Sequence, residues 1–276
     1  MKVVLFCGGR GTRLRDYSET VPKPMVPIGD RPILWYVMKY YAYFGHTDFI
    51  LCLGHKGVLI KEFFLKYEEW ISNDFVLSKG GNDLKLFNRD IQDWNITFVD
   101  TGLNASIGER LGAIEPYLEG DEVFLANYAD VLTDFWLPDF VKALADSGKV
   151  AGFLAVKSPL SFHVARLAGD STVEAISPIS EFEHWINGGF FVLRREIFEF
   201  LRPGEDLVAE PFQRLIEAGA LLAHPHTGFW RPMDTFKDKQ ALDDLFESGV
   251  APWELWKIHP PYSRDSDAGS HSADGG

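Results

Sequence analysis

The sequence has few cysteines and no long apolar run. Its 276 residues include two cysteines, Cys7 and Cys52, each inside a short apolar run. This spacing excludes a CxxC or Cys/His metal motif and predicts two buried, reduced thiols. No stretch reaches the roughly 18 consecutive apolar residues that a membrane helix needs, and the apolar run at the N-terminus is too short for a secretory signal peptide. We therefore expect a cytoplasmic protein that has no membrane partner.

Positive charge is also scarce. There are 27 lysines and arginines against 40 aspartates and glutamates, which gives a formal net charge of −13. This balance argues against a nucleic-acid partner held by non-specific attraction to phosphates. Hydrophobic residues make up 46% of the chain and aromatic residues 14%, which is enough to build a compact core and excludes a disordered chain. An acidic protein that handles polyanionic small molecules must neutralise them locally, with a few placed cations or a bound metal.

Apolar runs and helical spacing alternate along the chain. Residues 3–7 and 49–53 are short continuous apolar runs followed by glycine, which is typical of buried parallel strands. Between them, Asp30 and Pro32 predict the cap and first turn of a helix that continues to Gly45. This strand–helix–strand order is a βαβ signature. We therefore predict one α/β/α domain with a mixed, mainly parallel sheet.

The later segments extend this pattern. An inserted hairpin is expected between residues 75 and 95. Further strands are predicted at 96–100, 122–128, 152–156, 163–167 and 187–193, and further helices at 58–70, 108–117, 195–201, 209–218 and 236–246. Residues 259–276 lack periodicity and apolar content, so we expect the domain to span 1–258 and to be followed by a disordered tail over 259–276.

A glycine-rich loop directly follows the first strand. Gly8, Gly9 and Gly11 allow unusual backbone angles and close approach of amide groups to an anion. The loop is not a dinucleotide fingerprint, because Leu14 stands at the position of the third glycine, and it contains no P-loop motif. The residues alone leave two interpretations open, a phosphate-binding loop or a glycine-rich turn.

Lys23 stands between two prolines, Pro22 and Pro24, which restrict its backbone. It is either an exposed loop lysine or a cation that is positioned to face the same phosphates as the glycine loop.

The ordered set of motifs resembles the sugar-1-phosphate nucleotidyltransferases, also called nucleoside-diphosphate-sugar pyrophosphorylases. The resemblance covers about residues 1–256 and is carried by GGRGTRL, PKPM, PILWYVMKYY, DFILCLGHKGVLIKEFF, WNITFVDTG, INGGFFVL, GFWRPMDT and APWELW. Within that family it is strongest for the branch that uses CTP and glucose 1-phosphate. It implies a Rossmann-like nucleotidyltransferase fold and a homo-oligomer. The implied reaction transfers a nucleotidyl group from a nucleoside triphosphate, with CTP favoured, to glucose 1-phosphate or a related sugar or cyclitol phosphate.

The resemblance also implies roles for individual residues. Arg13 and Lys23 would be the catalytic cations that neutralise charge around the α-phosphate. Asn187 and Glu210 would hydrogen-bond sugar hydroxyls. Glu109 stands where the resemblance leads us to expect a small residue. The nucleotide would be bound by Gly8, Gly9, Gly11, Thr12, Thr101, Gly108 and Arg110.

Two aspartates from distant parts of the chain match the metal ligands of the family. The resemblance implies that Asp130 and Asp234 hold one Mg²⁺, a hard cation that prefers oxygen ligands and shares its coordination with phosphates. Taken separately, each aspartate could instead be a helix cap or a turn residue. The reaction, an in-line displacement of pyrophosphate by a sugar phosphate oxygen, needs positioning and charge neutralisation more than acid–base groups.

The acceptor half departs from the family pattern. The family has a lysine for the sugar phosphate a few residues before the N-G-G segment, but residues 177–185 contain neither lysine nor arginine. An expected arginine–glycine pair near residue 161 is also absent. Three hypotheses remain open: another phosphorylated sugar or cyclitol with charge from His163, His184 or Arg166, glucose 1-phosphate with a rearranged anchor, or a non-catalytic nucleotide-sugar-binding protein.

Overall fold

The computed structural model of the protein describes residues 1–9, 21–158, 162–179, 184–259 and 261–262. Its strands are β1 (Val3–Phe6), β2 (Pro27–Ile28), β3 (Arg31–Pro32), β4 (Asp48–Leu53), β5 (Phe75–Ser78), β6 (Asp83–Leu86), β7 (Asn95–Asp100), β8 (Val123–Tyr128), β9 (Val131–Thr133), β10 (Ala151–Val156), β11 (His163–Leu167), β12 (Val173–Pro178), β13 (Ile186–Arg194), β14 (Leu221–His226) and β15 (Trp230–Pro232). Its α-helices are α1 (Ile33–Tyr43), α2 (Gly57–Leu65), α3 (Ile107–Ala113), α4 (Leu137–Ser147), α5 (Glu210–Glu217), α6 (Phe236–Glu247) and α7 (Leu255–Ile258).

Seven strands form the central sheet, in the order β14-β10-β13-β8-β1-β4-β7. The pairs β1–β4, β1–β8, β4–β7 and β10–β14 are parallel, and β13 is antiparallel to both β8 and β10. The prediction of a mixed, mainly parallel sheet is confirmed.

The central strand β1 shows why the fold has three layers. Its four residues are all buried, because strands pair with it on both sides and helices cover both faces. Val3 and Leu5 belong to a core that includes α1 and α4, whereas Val4 and Phe6 belong to a second core that includes Leu111 of α3. Alternate side chains therefore point to opposite apolar layers, as the strand period of two requires.

The start of α1 differs from the prediction. The helix begins at Ile33 after Pro32, with no side-chain capping hydrogen bond, so the expectation that Asp30 caps it is wrong. The short antiparallel pair β2–β3 takes up the preceding residues and places Asp30 in its turn, next to Gly29 with φ of +56°. A two-residue strand pair is too short to leave a periodic signal in the sequence.

Other differences concern element ends and types, and the sequence analysis predicted neither β14 nor α4. The helix predicted over 58–70 ends at Leu65, and the segment predicted as a helix over 195–201 is a 3₁₀ helix, Arg195–Phe200. The inserted hairpin is confirmed as β5–β6. Among the residues that the structure describes, the strand at 163–167 pairs only with β12, as a hairpin separate from the central sheet. Both cysteines are free and buried, as predicted.

The C-terminal part is described as far as Tyr262, whose ring lies against those of Phe44 and Trp136. Residues 263–276 of the predicted tail lie outside the described part of the chain, and the domain boundary stays a prediction. In the described ranges, no helix has the length and apolar character that crossing a membrane requires.

Candidate active site

Three charged side chains meet beyond the carboxyl end of β8. The Nζ atom of Lys23 lies 2.5 Å from Oδ2 of Asp130 and 2.5 Å from Oδ1 of Asp234. The two carboxylate oxygens are therefore no farther apart than twice that distance. All three side chains keep some contact with solvent, since 16%, 23% and 38% of Lys23, Asp130 and Asp234 are exposed. The structure thus brings together three residues that the sequence analysis assigned to the catalytic and metal sites.

A short strand pair joins the two aspartates. Strands β9 and β15 are antiparallel, with Pro232 opposite Val131. The backbone N–H of Met233 donates a hydrogen bond of 2.9 Å to the carbonyl oxygen of Asp130. Asp130 directly precedes β9, and Asp234 is the second residue after β15. This register therefore brings two residues that are far apart in the sequence to the same point.

Asp234 does not cap the helix that follows it. The N-cap of α6 is Thr235, whose hydroxyl accepts a hydrogen bond from the N–H of Asp238 in a capping box. The helix start is therefore satisfied without Asp234. The alternative interpretation of Asp234 as a helix cap is wrong, and its carboxylate takes part in the cluster.

Lys23 is held by its backbone as well as by its charge. It starts the 3₁₀ helix Lys23–Met25, in which the N–H of Met25 donates to the carbonyl of Pro22 at 2.8 Å. Burial alone would lower the pKa of the Lys23 ammonium, but the adjacent Asp130 and Asp234 carboxylates outweigh burial and raise the pKa. Lys23 is therefore a fully charged cation at neutral pH.

The cluster is compatible with a bound Mg²⁺. Asp130 and Asp234 present oxygen atoms around one point that a cation, the Lys23 ammonium, already occupies. Mg²⁺ is usually held by one or two carboxylates together with substrate phosphates and water, not by a complete protein cage. In the described segments, no group of three or more potential metal-binding side chains occurs. If the ion bound there, Asp130 and Asp234 would hold it.

The glycine loop begins directly over a buried arginine. The guanidinium of Arg110 is 1% exposed, and its Nη1 donates to the carbonyl of Leu53 at 3.1 Å and to the hydroxyl of Thr101 at 2.6 Å. A Cβ atom on Gly8 would lie 2.1 Å from that Nη1. Burial lowers the pKa of Arg110, but an arginine stays charged in proteins. Gly8 is thus required for close packing, and the structure places it beside Thr101 and Arg110 as one unit.

The start of α3 explains Glu109. Its carboxylate accepts a hydrogen bond from the N–H of Ser106 at 2.8 Å, and its own N–H donates to the Ser106 hydroxyl at 3.1 Å. This is a capping box, for which the sequence signal is Ser-x-x-Glu. A Cβ atom on Gly108 would lie 2.5 Å from the carbonyl oxygen of Glu205. Glu109 therefore has a structural role, and Gly108 is needed for packing of this helix against the 205–207 segment.

Asn187 lies at the start of β13, close to the end of β8. Its Oδ1 accepts from the N–H of Gly189 at 2.9 Å, and its Nδ2 lies 3.4 Å from the hydroxyl of Tyr128. Nδ2 carries a second hydrogen that a ligand hydroxyl could accept. Glu210, the other predicted sugar ligand, is an exposed residue in the first turn of α5. The structure does not join Glu210 to Asn187 by any hydrogen bond or ion pair that we observe.

Three predicted residues, Gly11, Thr12 and Arg13, lie outside the described residues. Their assignments stay predictions. One pair that the sequence analysis missed is Lys157 and Trp185, whose side chains are in contact near Asn187. A lone lysine after an apolar run gives no signal of its own, so this contact could not be recognised without the strand register.

The chain is similar to known nucleotidyltransferases over most of its length. The family model described as Nucleotidyl transferase matches residues 2–239. The chain is 39% identical over 262 residues to the glucose-1-phosphate cytidylyltransferase of Salmonella typhimurium, and 34% identical over 258 residues to a probable glucose-1-phosphate cytidylyltransferase of Bacillus subtilis. Each alignment covers 93% of this chain and 100% of the relative.

The fold is also shared with solved structures. A putative glucose-1-phosphate thymidylyltransferase from Bacillus anthracis superposes with a TM-score of 0.64 at 17% identity, covering 89% of this chain and 94% of that one. The non-catalytic alternative is not favoured, because the curated relatives matched over nearly the whole chain are transferases. The three-layer, Rossmann-like prediction is confirmed. This chain belongs to the nucleotidyl transferase family, as one of its sugar-1-phosphate nucleotidyltransferases.

Proposed function

We propose that this protein transfers the cytidylyl group of CTP to glucose 1-phosphate, which gives CDP-glucose and pyrophosphate. The observation that carries the proposal is the Lys23–Asp130–Asp234 cluster at the end of the central sheet. The names of the relatives support the choice of CTP and glucose 1-phosphate. Open α/β sheets bind ligands at the carboxyl ends of their strands, where this cluster lies.

In the proposed reaction, a phosphate oxygen of glucose 1-phosphate attacks the α-phosphorus of CTP. The bond from that phosphorus to the bridging oxygen of pyrophosphate breaks, and the electron pair leaves with pyrophosphate. The nucleophile is already ionised at neutral pH, so the site must position the substrates and neutralise charge. This need is consistent with a site built from one lysine and two carboxylates.

The proposed roles follow the observed contacts. Lys23 remains protonated beside its carboxylates and would donate to a phosphate oxygen of the nucleotide. Asp130 and Asp234 would hold Mg²⁺, which when bound offsets negative charge and orients the phosphates. The backbone of Gly8 and Gly9 would approach the nucleotide, next to the buried Thr101–Arg110 pair.

The other assignments extend this proposal. Asn187 and Glu210 would bind sugar hydroxyls, and Gly108 would support the nucleotide pocket. Arg13, with Gly11 and Thr12, would complete the phosphate loop.

Self-association is a further part of the proposal. We expect a homo-oligomer, acting in the cytoplasm. The β5–β6 hairpin supports self-association, because its apolar side chains Phe75, Val76, Leu77 and Leu84 are 39–57% exposed and an isolated two-stranded hairpin is marginally stable in water. Light scattering of the purified protein tests this; a monomer at micromolar concentration would reject it.

The activity is tested by supplying each nucleoside triphosphate with a panel of sugar and cyclitol 1-phosphates and measuring pyrophosphate release. We expect CTP with glucose 1-phosphate to give the highest kcat/KM. Release with no pairing would reject the catalytic assignment. A higher kcat/KM with another pairing would reject the specific substrates while keeping the reaction.

The metal assignment is tested by Asp234→Asn. We expect kcat/KM to fall by about 100-fold or more, because charge stabilisation by a metal is worth several kcal/mol, while the melting curve stays close to wild type. Asp244→Asn is the matched control, since Asp244 lies on α6 and contacts Gln240 on the exposed side of that helix. Equal activity of Asp234→Asn and Asp244→Asn would show that Asp234 is not a metal ligand.

A further inference from the structure

Tyr128 ends β8, the strand that lies between β1 and β13 in the central sheet. It is opposite Phe6 in the parallel register with β1, and its ring centroid lies 6.3 Å from that of Phe6 and 5.5 Å from that of Phe191 on β13. Asp130 of the charged cluster is two residues farther along the chain. Tyr128 therefore lies where the glycine loop, the cluster and the proposed acceptor side meet.

The start of β13 fits around the Tyr128 ring. A Cβ atom on Gly189 would lie 2.5 Å from Cδ2 of Tyr128, so a side chain there would displace the ring. Asn187 lies at the hydroxyl end: its Oδ1 accepts from the N–H of Gly189 at 2.9 Å, and its Nδ2 lies 3.4 Å from the Tyr128 hydroxyl oxygen. Packing thus sets the position of the ring and directs the hydroxyl toward the Asn187 amide.

The Tyr128 hydroxyl can donate a hydrogen bond to a ligand. Its contact with Asn187 uses the hydroxyl oxygen as the acceptor, and within the described ranges the hydroxyl donates its own proton to no other group. Burial raises the pKa of this hydroxyl, and the charge of Asp206 raises it further, so the proton is kept at neutral pH. Tyr128 is half-buried although aromatic rings pack against its own ring, which leaves the hydroxyl end for contact with a ligand.

Two donors on neighbouring strands suit the recognition of a sugar hydroxyl. Tyr128 offers its phenolic proton and Asn187 offers the second hydrogen of its amide, while the oxygen of a sugar hydroxyl can accept two hydrogen bonds. A site built to hydrogen-bond a substrate hydroxyl rejects analogues that lack it. We propose that the Tyr128 hydroxyl donates its proton to a hydroxyl oxygen of the acceptor glucose and so determines which sugars the site accepts. This inference rests on the proposed function and adds a specificity-determining residue to its acceptor site.

The test compares the kinetics of Tyr128→Phe and wild type with CTP and a series of acceptors. With glucose 1-phosphate, we expect KM for the acceptor to rise about 3- to 10-fold, as for the loss of a neutral hydrogen bond, while KM for CTP stays within about twofold. The other acceptors are deoxyglucose 1-phosphates that each lack one hydroxyl of the ring or of C6. With one of these analogues, wild type should lose the same factor and Tyr128→Phe should lose nothing further, because the hydrogen bond is already absent.

Tyr117→Phe is the matched control. Tyr117 lies in the 3₁₀ helix Glu115–Leu118 and is 46% exposed, so we expect its KM values for CTP and for every acceptor to match wild type. Phenylalanine at position 128 keeps the ring that packs on Phe6 and Phe191, and thermal melting shows whether the variant is folded. If Tyr128→Phe unfolds, Tyr128→Met provides the same loss of the hydroxyl with a side chain that adapts to its surroundings.

The outcomes separate this inference from the proposed function. If wild type is active and KM for glucose 1-phosphate in the folded Tyr128 variant rises by less than about threefold, the inference is overturned while the proposed function stands. An equal loss with glucose 1-phosphate and with every deoxy analogue would also overturn it, because the hydroxyl would then act on the phosphate or on the fold, and so would a parallel rise in both KM values.

If wild type releases no pyrophosphate with any substrates, the proposed function fails. Titration calorimetry with glucose 1-phosphate then decides the inference. Binding by wild type that Tyr128→Phe weakens about 3- to 10-fold supports it, and equal binding or none overturns it.

Discussion

Replacing Gly8 by alanine probes the packing between the glycine loop and Arg110. The new Cβ would lie 2.1 Å from Nη1 and 2.2 Å from Cζ of Arg110, whereas ordinary van der Waals contacts of a Cβ begin near 3.4 Å. The guanidinium must therefore move by more than 1 Å. Such a shift exceeds what its 2.6 Å hydrogen bond to Thr101 and its 3.1 Å hydrogen bond to Leu53 can absorb.

The magnitude follows from those two bonds. A hydrogen bond to a charged group contributes about 1.5–3 kcal/mol, and Arg110 is buried, so water cannot replace the lost partners. We expect Gly8→Ala to lower the free energy of unfolding by about 3–6 kcal/mol, the sum for the two bonds. The assay is urea denaturation followed by tryptophan fluorescence.

Gly112→Ala is the matched control. Gly112 lies in α3, the helix that also carries Arg110, and in the described part of the chain no atom outside its own turn of helix lies within 4 Å of the position of its Cβ. Alanine there should raise stability by about 0.5–1 kcal/mol through helix propensity. Adding Arg110→Met to Gly8→Ala should cost less than the sum of the single changes, because the clash is relieved. Gly8→Ala within about 0.5 kcal/mol of wild type would refute the reasoning, since it would mean that Arg110 moves at no cost.

Two further outcomes are expected. Glu109→Ala removes half of the capping box of α3 and should lower the free energy of unfolding by about 0.5–1 kcal/mol without changing KM for the nucleotide; a raised nucleotide KM would instead place Glu109 in the site. Burial raises the pKa of Cys52 to about 12, against the opposing charge of Arg110, and raises that of Cys7, so at pH 8 neither thiol should react with DTNB in the native protein, and both should react in urea.

The parts of the fold that were predictable from the sequence are those with long periodic or apolar signals. A short apolar run followed by glycine, such as 49–53, favours a covered strand, and this run lies in the sheet as predicted. The short pair β2–β3 was not predictable, because two residues carry no period. Because Asp30 lies in the turn of this pair, it is not at the start of α1.

The site was predictable only in part, for a physical reason. Asp130 and Asp234 were identified through a resemblance to a family, but the register of β9 and β15 that joins them leaves no mark in either segment alone. Glu109 illustrates the opposite case, because its Ser-x-x-Glu spacing was a local signal for a helix cap. The contact between Lys157 and Trp185 could not be predicted, because it depends on the register between β10 and β13, which sequence spacing does not encode.

The charges of the cluster explain how an acidic chain can use two anionic substrates. One ammonium and two carboxylates give Lys23, Asp130 and Asp234 together a net charge of −1, which by itself opposes the approach of a triphosphate. In the proposed function, Asp130 and Asp234 would hold Mg²⁺; with the ion bound, that sum would be +1 and the Lys23 ammonium would be able to turn to a phosphate oxygen. The positive charge of Lys23 would then act on the nucleotide. In this proposal the sign of the cluster's charge would depend on the metal, within a protein whose net charge of −13 discourages other polyanions.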